Sequence, residues 1–488
     1  MRVYKARYVP VRDEKLSYGR KRTLESSVLR SPFSWRSTCV FFLFWAATGI
    51  ISSAQTFTTL ANFDYSNGAR PDFMALIQGP DGNFYGTTPL GGANGPYGTI
   101  FGITPEGTIS TLHSFDGTDG SYSTAGLVLG TDGNFYGTTE EGGAVGYAGT
   151  IFKIALDGDF TTLYSFCSQP NCTDGEQPDA ALVQEGNGNF YGTTQIGGAY
   201  DTGTVFKITA KGKLTTLHSF CAEPECTQPT TALVLGTNGF LYGTTGGTVF
   251  KISTGGELTT LYTFDDNEGT YYAGLVQATD GNFYGTTYTG GSNNDGTIYK
   301  ITPKGILTTL HTFDGTDGNS PQATLIQATD GNLYGTTNLG GAQNSGTIFR
   351  MSLDGTLTTL YNFCSQPNCT DGDGPTGTLL EATNGNIYGT TQFGGTDSEG
   401  TVFRLALNLS PFVESLPTTA KVGSQVMILG TNLKGATEVS FNGTSATFTV
   451  VSKSQIMTTV PANAMTGTLE VTTPRGTLSS NVPFRVKN

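Results

Sequence analysis

The chain has 488 residues, 68 of them glycine, and a formal net charge of −13 at pH 7. Residues 1–54 carry ten of the 26 basic residues and three of the 39 acidic ones, so the remainder has a net charge of −20. Such an acidic surface repels a phosphate backbone, which argues against nucleic-acid binding.

The N-terminal segment 1–54 has the pattern of an export signal. Basic residues up to Arg36 precede an apolar stretch at 40–51, and residues 52–54 are small. The apolar stretch is shorter than the ~20 residues that a membrane span needs. We therefore predict that the segment is cleaved and the protein is secreted or held at the cell surface. Tethering to the membrane through an uncleaved segment is the alternative.

Two short phrases recur along most of the chain. Tyr-Gly-Thr-Thr occurs seven times, beginning at Tyr85, Tyr136, Tyr191, Tyr242, Tyr284, Tyr334 and Tyr388. Gly-Thr-(Val/Ile)-(Phe/Tyr) also occurs seven times, beginning at Gly98, Gly149, Gly203, Gly247, Gly296, Gly346 and Gly400. Repetition at intervals of 42 to 55 residues indicates a repeat array or a propeller.

Each repeat unit predicts four strands, which we call a, b, c and d. Aromatic and β-branched residues favour strands, and Asp, Gly and Asn favour the turns between them. No helical periodicity interrupts the pattern between residues 55 and 488. In the second unit the predicted strands are residues 125–130, 135–139, 149–154 and 160–166.

The order of the strands predicts a closed ring. Four-stranded sheets bury their faces by stacking around an axis, which also protects their edges. The first copy of strand d, at 56–63, precedes the first Tyr-Gly-Thr-Thr, whereas the last unit ends near Asn408 without one. We predict an all-β fold in which residues 55–408 form a seven-bladed β-propeller, closed by the N-terminal strand.

Six cysteines form three close pairs, and each pair follows a strand d. The spacing departs from Cys-x-x-Cys, and a structural zinc site needs four ligands, which a single close pair does not supply. Paired cysteines in an exported chain indicate structural disulfides. The predicted pairs are Cys167–Cys172, Cys221–Cys226 and Cys364–Cys369.

The composition changes after residue 408. Residues 423–433 read Gly-Ser-Gln-Val-Met-Ile-Leu-Gly-Thr-Asn-Leu, residues 438–443 read Glu-Val-Ser-Phe-Asn-Gly, and residues 466–471 read Thr-Gly-Thr-Leu-Glu-Val. In this order the phrases resemble the IPT/TIG domain. The resemblance implies an immunoglobulin-like β-sandwich over 409–488 that acts as a spacer or interaction module.

The repeats themselves resemble a known family. The phrases Gly-Leu-Val, Asp-Gly-Asn-Phe-Tyr-Gly-Thr-Thr and Gly-Gly follow one another within the unit, as in the exported bacterial GloVer tandem-repeat proteins. The resemblance covers residues 56–408. It implies a bacterial surface or secreted protein, and it carries no activity with it.

A binding site is expected on the long loops. The b–c loops, such as 89–97, and the d–a loops, such as 167–179, should emerge together, and we call the surface they form the long-loop face. The fourth unit nearly lacks its b–c loop. Thr245, Gly246 and Gly247 could therefore form a notch that admits an extended ligand, although a neutral deletion explains the sequence as well.

The d–a loops are acidic, and calcium favours closely spaced carboxylates. The weak calcium candidates are Asp116, Asp119, Asp314, Asp317, Asp371 and Asp373. Turn formation and solubility account for the same residues equally well. We expect no other cofactor.

Signals of catalysis are few. The histidines, His113, His218 and His311, share one position of strand d with tyrosines of other units, which indicates packing. Nucleophile elbows, metalloprotease motifs and phosphate loops are absent from the sequence. We therefore expect a monomeric, non-enzymatic protein that presents the long-loop face to a glycan or an extracellular protein. An extracytoplasmic polysaccharide lyase or hydrolase using acidic loop residues, and a structural surface or adhesion protein, are the alternatives.

Overall fold

A computed structural model describes residues 55–220, 228–229, 231–265, 268–269 and 273–487. The predicted export signal at 1–54 and the predicted pair Cys221–Cys226 lie outside these ranges. Within them, no helix is long and apolar enough to cross a membrane.

The repeat region consists of short antiparallel strands. Two 3-10 turns, Pro170–Cys172 and Pro367–Cys369, accompany them. The strands are β1 (Thr56–Asn62), β2 (Ile77–Gln78), β3 (Phe84–Thr88), β4 (Thr99–Ile103), β5 (Ile109–Ser114), β6 (Val128–Leu129), β7 (Phe135–Thr139), β8 (Thr150–Ile154), β9 (Phe160–Ser165), β10 (Val183–Gln184), β11 (Phe190–Thr194), β12 (Thr204–Ile208), β13 (Leu214–Ser219), β14 (Val234–Leu235), β15 (Leu241–Thr244), β16 (Thr248–Ile252), β17 (Leu258–Thr263), β18 (Val276–Gln277), β19 (Phe283–Thr287), β20 (Thr297–Ile301), β21 (Leu307–Thr312), β22 (Ile326–Gln327), β23 (Leu333–Thr337), β24 (Thr347–Met351), β25 (Leu357–Asn362), β26 (Leu380–Glu381), β27 (Asn386–Thr391) and β28 (Thr401–Ala406).

These strands form four-stranded sheets in the order a-b-c-d, which we number along the chain. Sheet 1 is β2-β3-β4-β5, sheets 2 to 6 repeat this order up to β22-β23-β24-β25, and sheet 7 is β26-β27-β28-β1. Strands b and c of each sheet are almost wholly buried, and strand d is partly exposed. The core therefore lies between neighbouring sheets.

The N-terminal strand occupies the d position of sheet 7. β1 pairs antiparallel with β28, and its register shifts between Thr59 and Ala61. The c–d pairs of the other sheets show the same irregularity, for example between Ile151 and Phe152 of β8. This pairing agrees with the prediction made from the split first repeat.

Strand a is shorter than predicted. In the second unit only Val128–Leu129 pair with strand b, although a strand over 125–130 was expected. Residues 125–126 instead lie against a central cavity. The sequence predicted a longer strand because the small residues that line the cavity continue the apolar stretch of the strand.

The Tyr and first Gly of Tyr-Gly-Thr-Thr serve the sheet. The Tyr136 hydroxyl donates to Asp132 Oδ2 at 2.8 Å and thereby fastens the a–b turn. A Cβ on Gly137 would lie 2.4 Å from Cζ of Phe152, so only glycine fits beside that ring. These contacts explain why the two residues recur.

The two threonines join neighbouring strands and sheets. The Thr138 hydroxyl donates to the backbone oxygen of Ala180, in the unit of sheet 3, at 3.2 Å. The Thr139 hydroxyl lies 2.9 Å from the oxygen of Glu141 and 2.8 Å from the Thr150 hydroxyl. The repeated phrase is thus accounted for by packing and hydrogen bonds.

Sheets 1 and 7 make the same contact as sheets that adjoin in sequence. Gln184 Oε1 of sheet 3 accepts from the Thr131 backbone N–H of the sheet 2 turn at 3.0 Å. Gln78 Oε1 of sheet 1 likewise accepts from the Thr383 N–H of the sheet 7 turn at 3.0 Å. The first and last sheets are therefore neighbours in space.

The C-terminal strands form separate sheets with their own core. The sheet orders are β29-β31-β35-β34, β33-β32-β36-β37 and the parallel pair β30-β38. The core includes Val426, Ile428, Val439, Phe441 and Val471. The strands are β29 (Val413–Leu416), β30 (Thr419–Lys421), β31 (Gln425–Gly430), β32 (Glu438–Phe441), β33 (Thr444–Ser445), β34 (Phe448–Val450), β35 (Gln455–Thr459), β36 (Leu469–Thr473), β37 (Gly476–Ser479) and β38 (Arg485–Lys487).

These C-terminal sheets pack on the a–b turns of the repeat region. Ser454 Oγ donates to the Pro80 oxygen at 2.8 Å, and Lys487 Nζ lies 3.5 Å from Glu185 Oε1. Met427 is buried in one cluster with Phe135 of sheet 2. The long loops lie at the other end of the strands, so the C-terminal sheets leave the long-loop face uncovered.

Candidate functional site

The two sets of long loops lie side by side. Among the described residues, isolated bridges join five of the d–a loops to the b–c loop of the next unit, as between Ser121 and Glu141 and between Asn319 and Leu339. Together these loops surround a cavity of about 1190 Å³. This volume is somewhat above the roughly 300–1,000 Å³ of most small-molecule pockets, so the cavity has room for an oligomeric ligand.

Small residues surround the inner part of the cavity. Every sheet contributes one residue, which lies two positions before its strand a. In sheet 2 this residue is Gly126, and a Cβ on it would lie 3.0 Å from the backbone nitrogen of Ala75, the equivalent residue of sheet 1. Larger side chains at these positions would fill the cavity. The seven residues are Ala75, Gly126, Ala181, Ala232, Gly274, Thr324 and Thr378.

Among the described residues, three polar atoms in the cavity wall have no hydrogen-bond partner. They are Thr124 Oγ1, Asp179 Oδ1 and Gln322 Oε1, all buried. Each residue stands two positions before the small residue of its sheet, so the three are equivalent in the repeat. A buried polar atom left unsatisfied costs about 1–3 kcal/mol, so these atoms call for a hydrogen-bonding ligand or water.

Three carboxyl groups line the same cavity. Burial, assisted by the charge of Glu140, raises the pKa of Asp179 to about 7. Burial and the neighbouring Glu141 raise the pKa of Glu140. Burial also raises the pKa of Asp72 to about 6, although Thr376 Oγ1 donates to it at 2.7 Å. The cavity therefore concentrates carboxyl groups whose pKa values are raised above their usual range.

The stability of the protein should depend on Asp179 and pH. The folded-state pKa of Asp179 lies above its unfolded value of 3.8, so the destabilising charge is absent below about pH 4 and fully present above about pH 7. Asp179→Asn should therefore raise the free energy of unfolding by about 4 kcal/mol at pH 8 and leave it unchanged at pH 4. Denaturant unfolding at both pH values measures this. Asp157→Asn, on an exposed turn, is the control and should follow the parent protein; an equal effect of Asp179→Asn at both pH values would contradict the expectation.

Exposed aromatic rings are confined to the long-loop face. Phe73 and Tyr122 also line the cavity. Among the described residues, every exposed aromatic side chain belongs to a d–a or b–c loop: Tyr65, Phe73, Tyr97, Tyr122, Tyr147, Tyr200 and Phe393. Clustered aromatic rings on a surface are typical of binding sites.

The predicted notch is only partly at the cavity. Gly246 lines the cavity. The Thr245 hydroxyl lies 2.9 Å from that of Thr248 and accepts from the Gly247 N–H at 3.4 Å. Thr245 therefore performs the bonding of the second threonine of the other units. The role of the notch as an entry for an extended ligand stays a prediction.

The calcium candidates in the Asp-Gly-Thr-Asp-Gly loops order their own turns. Asp119 Oδ1 accepts from the Asp116 N–H at 3.0 Å, while Oδ2 lies 2.7 Å from His113 Nε2. Asp116 Oδ1 accepts from the Thr118 N–H at 2.8 Å. The equivalent pair Asp314 and Asp317 forms the same bonds, with His311 in place of His113.

The remaining candidates lie in a disulfide loop. The Asp371 carboxylate accepts from the Tyr361 hydroxyl at 2.7 Å and from the Ser365 N–H at 2.9 Å, and Asp373 is bridged through its backbone to Phe393. Across the part of the chain that the structure describes, the candidate aspartates form no three-ligand group. The one group found consists of Cys167, Cys172 and Glu176, and its cysteines are joined as a disulfide.

Two of the three predicted disulfides are present. Cys167 is bonded to Cys172 and Cys364 to Cys369. Disulfides are typical of proteins outside the cytoplasm.

The histidines and tyrosines that share one position of strand d do more than pack. Their side chains also form hydrogen bonds to the d–a loops, as the Tyr164 hydroxyl does to Asp174 at 2.7 Å.

Sequence reasoning missed the cavity residues Asp72, Phe73, Tyr122, Glu140 and Asp179. It favoured the acidic middle of the d–a loops, whereas the cavity is lined by the end of each d–a loop and the start of each b–c loop. A usable signal was present. The residue directly after Tyr-Gly-Thr-Thr differs from unit to unit, and in four units it lines the cavity: Glu140, Gln195, Gly246 and Tyr288.

Repeated four-stranded sheets with a central cavity define a β-propeller-like repeat protein. The chain belongs to the Gloeobacter/Verrucomicrobia repeat family, whose model matches residues 49–246 and 244–451. The repeat-family resemblance is thereby confirmed, while the IPT/TIG resemblance stays a prediction. A comparison with curated proteins found no match.

Solved structures show the same fold at low identity. A streptogramin B lyase is 17% identical with a TM-score of 0.51, covering 72% of this chain and 98% of that one. A catalytically inactive virginiamycin B lyase from Staphylococcus aureus, with quinupristin, is 15% identical with a TM-score of 0.51, covering 72% and 99%. A fungal alcohol oxidase of the AA5 family, in complex with copper, is 12% identical with a TM-score of 0.51, covering 89% and 99%. At these identities the likeness concerns the fold alone.

Proposed function

We propose that this chain is an extracytoplasmic, non-enzymatic binding protein that takes a glycan into the central cavity of the long-loop face. In this proposal residues 55–408 are a closed seven-bladed propeller and residues 409–488 an immunoglobulin-like spacer. The contact between Gln78 and Thr383 supports closure, and the disulfides support export. Gly246 and its neighbours would form the entry for an extended ligand.

The observation that carries the proposal is the set of unpartnered polar atoms. Thr124, Asp179 and Gln322 each direct a buried oxygen without a protein partner to one cavity. Polar groups aimed at a common space fix the orientation of a ligand through hydrogen bonds. Sugar hydroxyl groups supply donors and acceptors at high density, and the aromatic rings at the mouth suit the apolar faces of sugar rings.

A glycan fits these features better than a folded protein partner. The unpartnered atoms lie inside the cavity, where a slender chain reaches and a broad protein surface does not. Protein interfaces of standard size bury roughly 800 Å² on each partner, mostly across open surface. A protein partner would instead engage the exposed rim and leave the inner atoms unsatisfied.

Thermal unfolding of the purified protein with a panel of oligosaccharides and polysaccharides tests the proposal. A ligand at about 100 times its Kd stabilises the folded state by about 2.7 kcal/mol, so a true ligand should raise Tm measurably. Each glycan is measured with calcium and with chelator, and the two series should coincide. A panel without any shift, together with a protein partner that raises Tm, would refute glycan binding.

A second candidate function is glycan cleavage by a hydrolase or lyase. The specific observation in its favour is that Asp72 and Asp179 have pKa values of about 6 and about 7, where a carboxyl group transfers protons effectively at neutral pH. Release of new chain ends from any polysaccharide that binds separates the two functions. Release that is lost in Asp179→Asn would establish cleavage, and binding without release would exclude it for that ligand.

A further inference from the structure

The cavity has a negative charge without a basic counterpart. Asp72, Glu140 and Asp179 line it, and no lysine, arginine or histidine does so among the described residues. Within the repeat region, the undescribed positions 221–227, 230, 266–267 and 270–272 also contain no basic residue. An anionic ligand, such as a uronate-containing glycan, would meet only repulsion here.

The nearest loop arginine is engaged elsewhere. Arg70 lies 3.6 Å from Glu399 Oε2, and its guanidinium is placed over the ring of Phe393 at 5.3 Å from the centroid. It is not part of the cavity wall. Among the described residues, the carboxyl groups of the cavity therefore have no cation in the cavity wall that could balance their charge.

Aromatic rings share the cavity with the carboxyl groups. Phe73, Tyr122 and Tyr288 all line it. An aromatic face attracts a cation through its quadrupole, most strongly where water is excluded. Carboxyl groups together with aromatic rings therefore form a setting that prefers a positively charged group over a neutral one.

Burial and mutual repulsion make the charged form of these carboxyl groups costly. Burial is the larger cause for Asp179, and the charge of Glu140 adds to it. A bound ammonium group would offset both, because it pairs with a desolvated carboxylate and screens one carboxylate from the other. A neutral ligand would displace water and leave the repulsion in place.

The same wall also requires hydroxyl or amide groups in its ligand. The Thr124 side chain is only 7% exposed, and its hydroxyl has no protein partner, as is also the case for Gln322 Oε1. A simple amine would pair with the carboxyl groups and leave these atoms unsatisfied. The geometry points to a ligand with both functions: we propose that the cavity binds an amino-sugar oligosaccharide with free, positively charged amino groups. This inference rests on the proposed glycan-binding function.

Two oligosaccharides of the same length and linkage test the inference, one with free amino groups and one with acetylated amino groups. Isothermal titration calorimetry at pH 7 compares a β-1,4-linked glucosamine tetramer with its fully N-acetylated form. The free-amine tetramer should bind about 30-fold more tightly, as expected for hydrogen bonds to charged groups. Equal or tighter binding of the acetylated tetramer would overturn the inference and leave glycan binding intact. Failure of both tetramers and of every glycan in the panel would overturn both proposals.

Variants that remove charge without changing shape assign the effect to the cavity. Asp179→Asn and Glu140→Gln should each weaken binding of the free-amine tetramer about tenfold and leave the acetylated tetramer unaffected. Asp157→Asn removes the same charge from an exposed turn and should bind like the parent protein. If Asp157→Asn weakens binding as much as Asp179→Asn, the preference arises from the overall acidity of the surface, and the cavity assignment is wrong.

Discussion

Ala181→Trp should abolish ligand binding and leave the fold intact. Ala181 is one of the seven small residues that surround the inner cavity, and its side chain is half-buried at the cavity surface. An indole there would occupy the space that the ligand needs, so affinity should fall by about 100-fold or more. Because the added ring points to open space and not into a packed core, Tm should stay close to that of the parent protein.

The introduced tryptophan can serve as a fluorescent probe of the cavity. The chain contains only two, Trp35 and Trp45, both in the segment 1–54. In protein lacking that segment, the fluorescence of the new indole would report whether ligand still enters the cavity, and calorimetry would give the affinity. Ala210→Trp, on an exposed turn between strands c and d, is the matched control and should bind normally. Unchanged affinity in Ala181→Trp would show that ligands bind outside the cavity.

Deletion of β1 (residues 56–62) should unfold most of the protein at 37 °C. Without β1, the sheet 7 strand β28 loses one of its two antiparallel partners and becomes an edge strand. Phe57 stacks on Tyr361 at 3.8 Å between centroids, and Ala61 is buried in one cluster with Phe101 of sheet 1. The deletion therefore exposes a strand edge and opens the contact between the first and last sheets. The decrease in the free energy of unfolding should amount to a large part of the 5–15 kcal/mol that typically stabilises a domain.

Thermal unfolding and light scattering measure this loss, since an unpaired edge also promotes aggregation. A synthetic peptide of residues 55–63 should restore part of the Tm when added to the deleted protein. Phe57→Ala should give a milder loss of about 2 kcal/mol, whereas the exposed Thr56→Ala should change stability by less than about 0.5 kcal/mol. A deleted protein with the Tm of the parent would mean that β1 contributes nothing to closure.

Much of the fold could be predicted because each repeat satisfies itself locally. The turn residue Asp132, the strand residue Tyr136 and the glycine beside Phe152 interact within one unit of about fifty residues. Residues that recur for such local reasons leave a clear periodic pattern. Two of the three disulfide pairs could be predicted for the same reason, since both cysteines of each pair lie in one loop.

The cavity could not be predicted in the same way. Thr124, Asp179 and Gln322 are separated by more than fifty residues along the chain and meet only because the sheets surround one space. The composition of the d–a loops favoured the acidic residues in the middle of each loop as site candidates. The carboxylates of Asp119 and Asp371 instead accept hydrogen bonds that order their own loops. Composition records how many carboxylates a loop has and not which of them already have partners.

The all-β repeat, its strand order and the split unit that places β1 in sheet 7 could be derived from the sequence, because local hydrogen bonds and side-chain fit impose a period on the chain. The folded chain was needed to show which residues line the cavity, where strand a begins and which carboxyl groups lack partners among the described residues. Those properties depend on the approach of segments from all seven sheets. The acidic residues of the cavity therefore lie at positions where the repeats differ, such as Glu140 and Asp179.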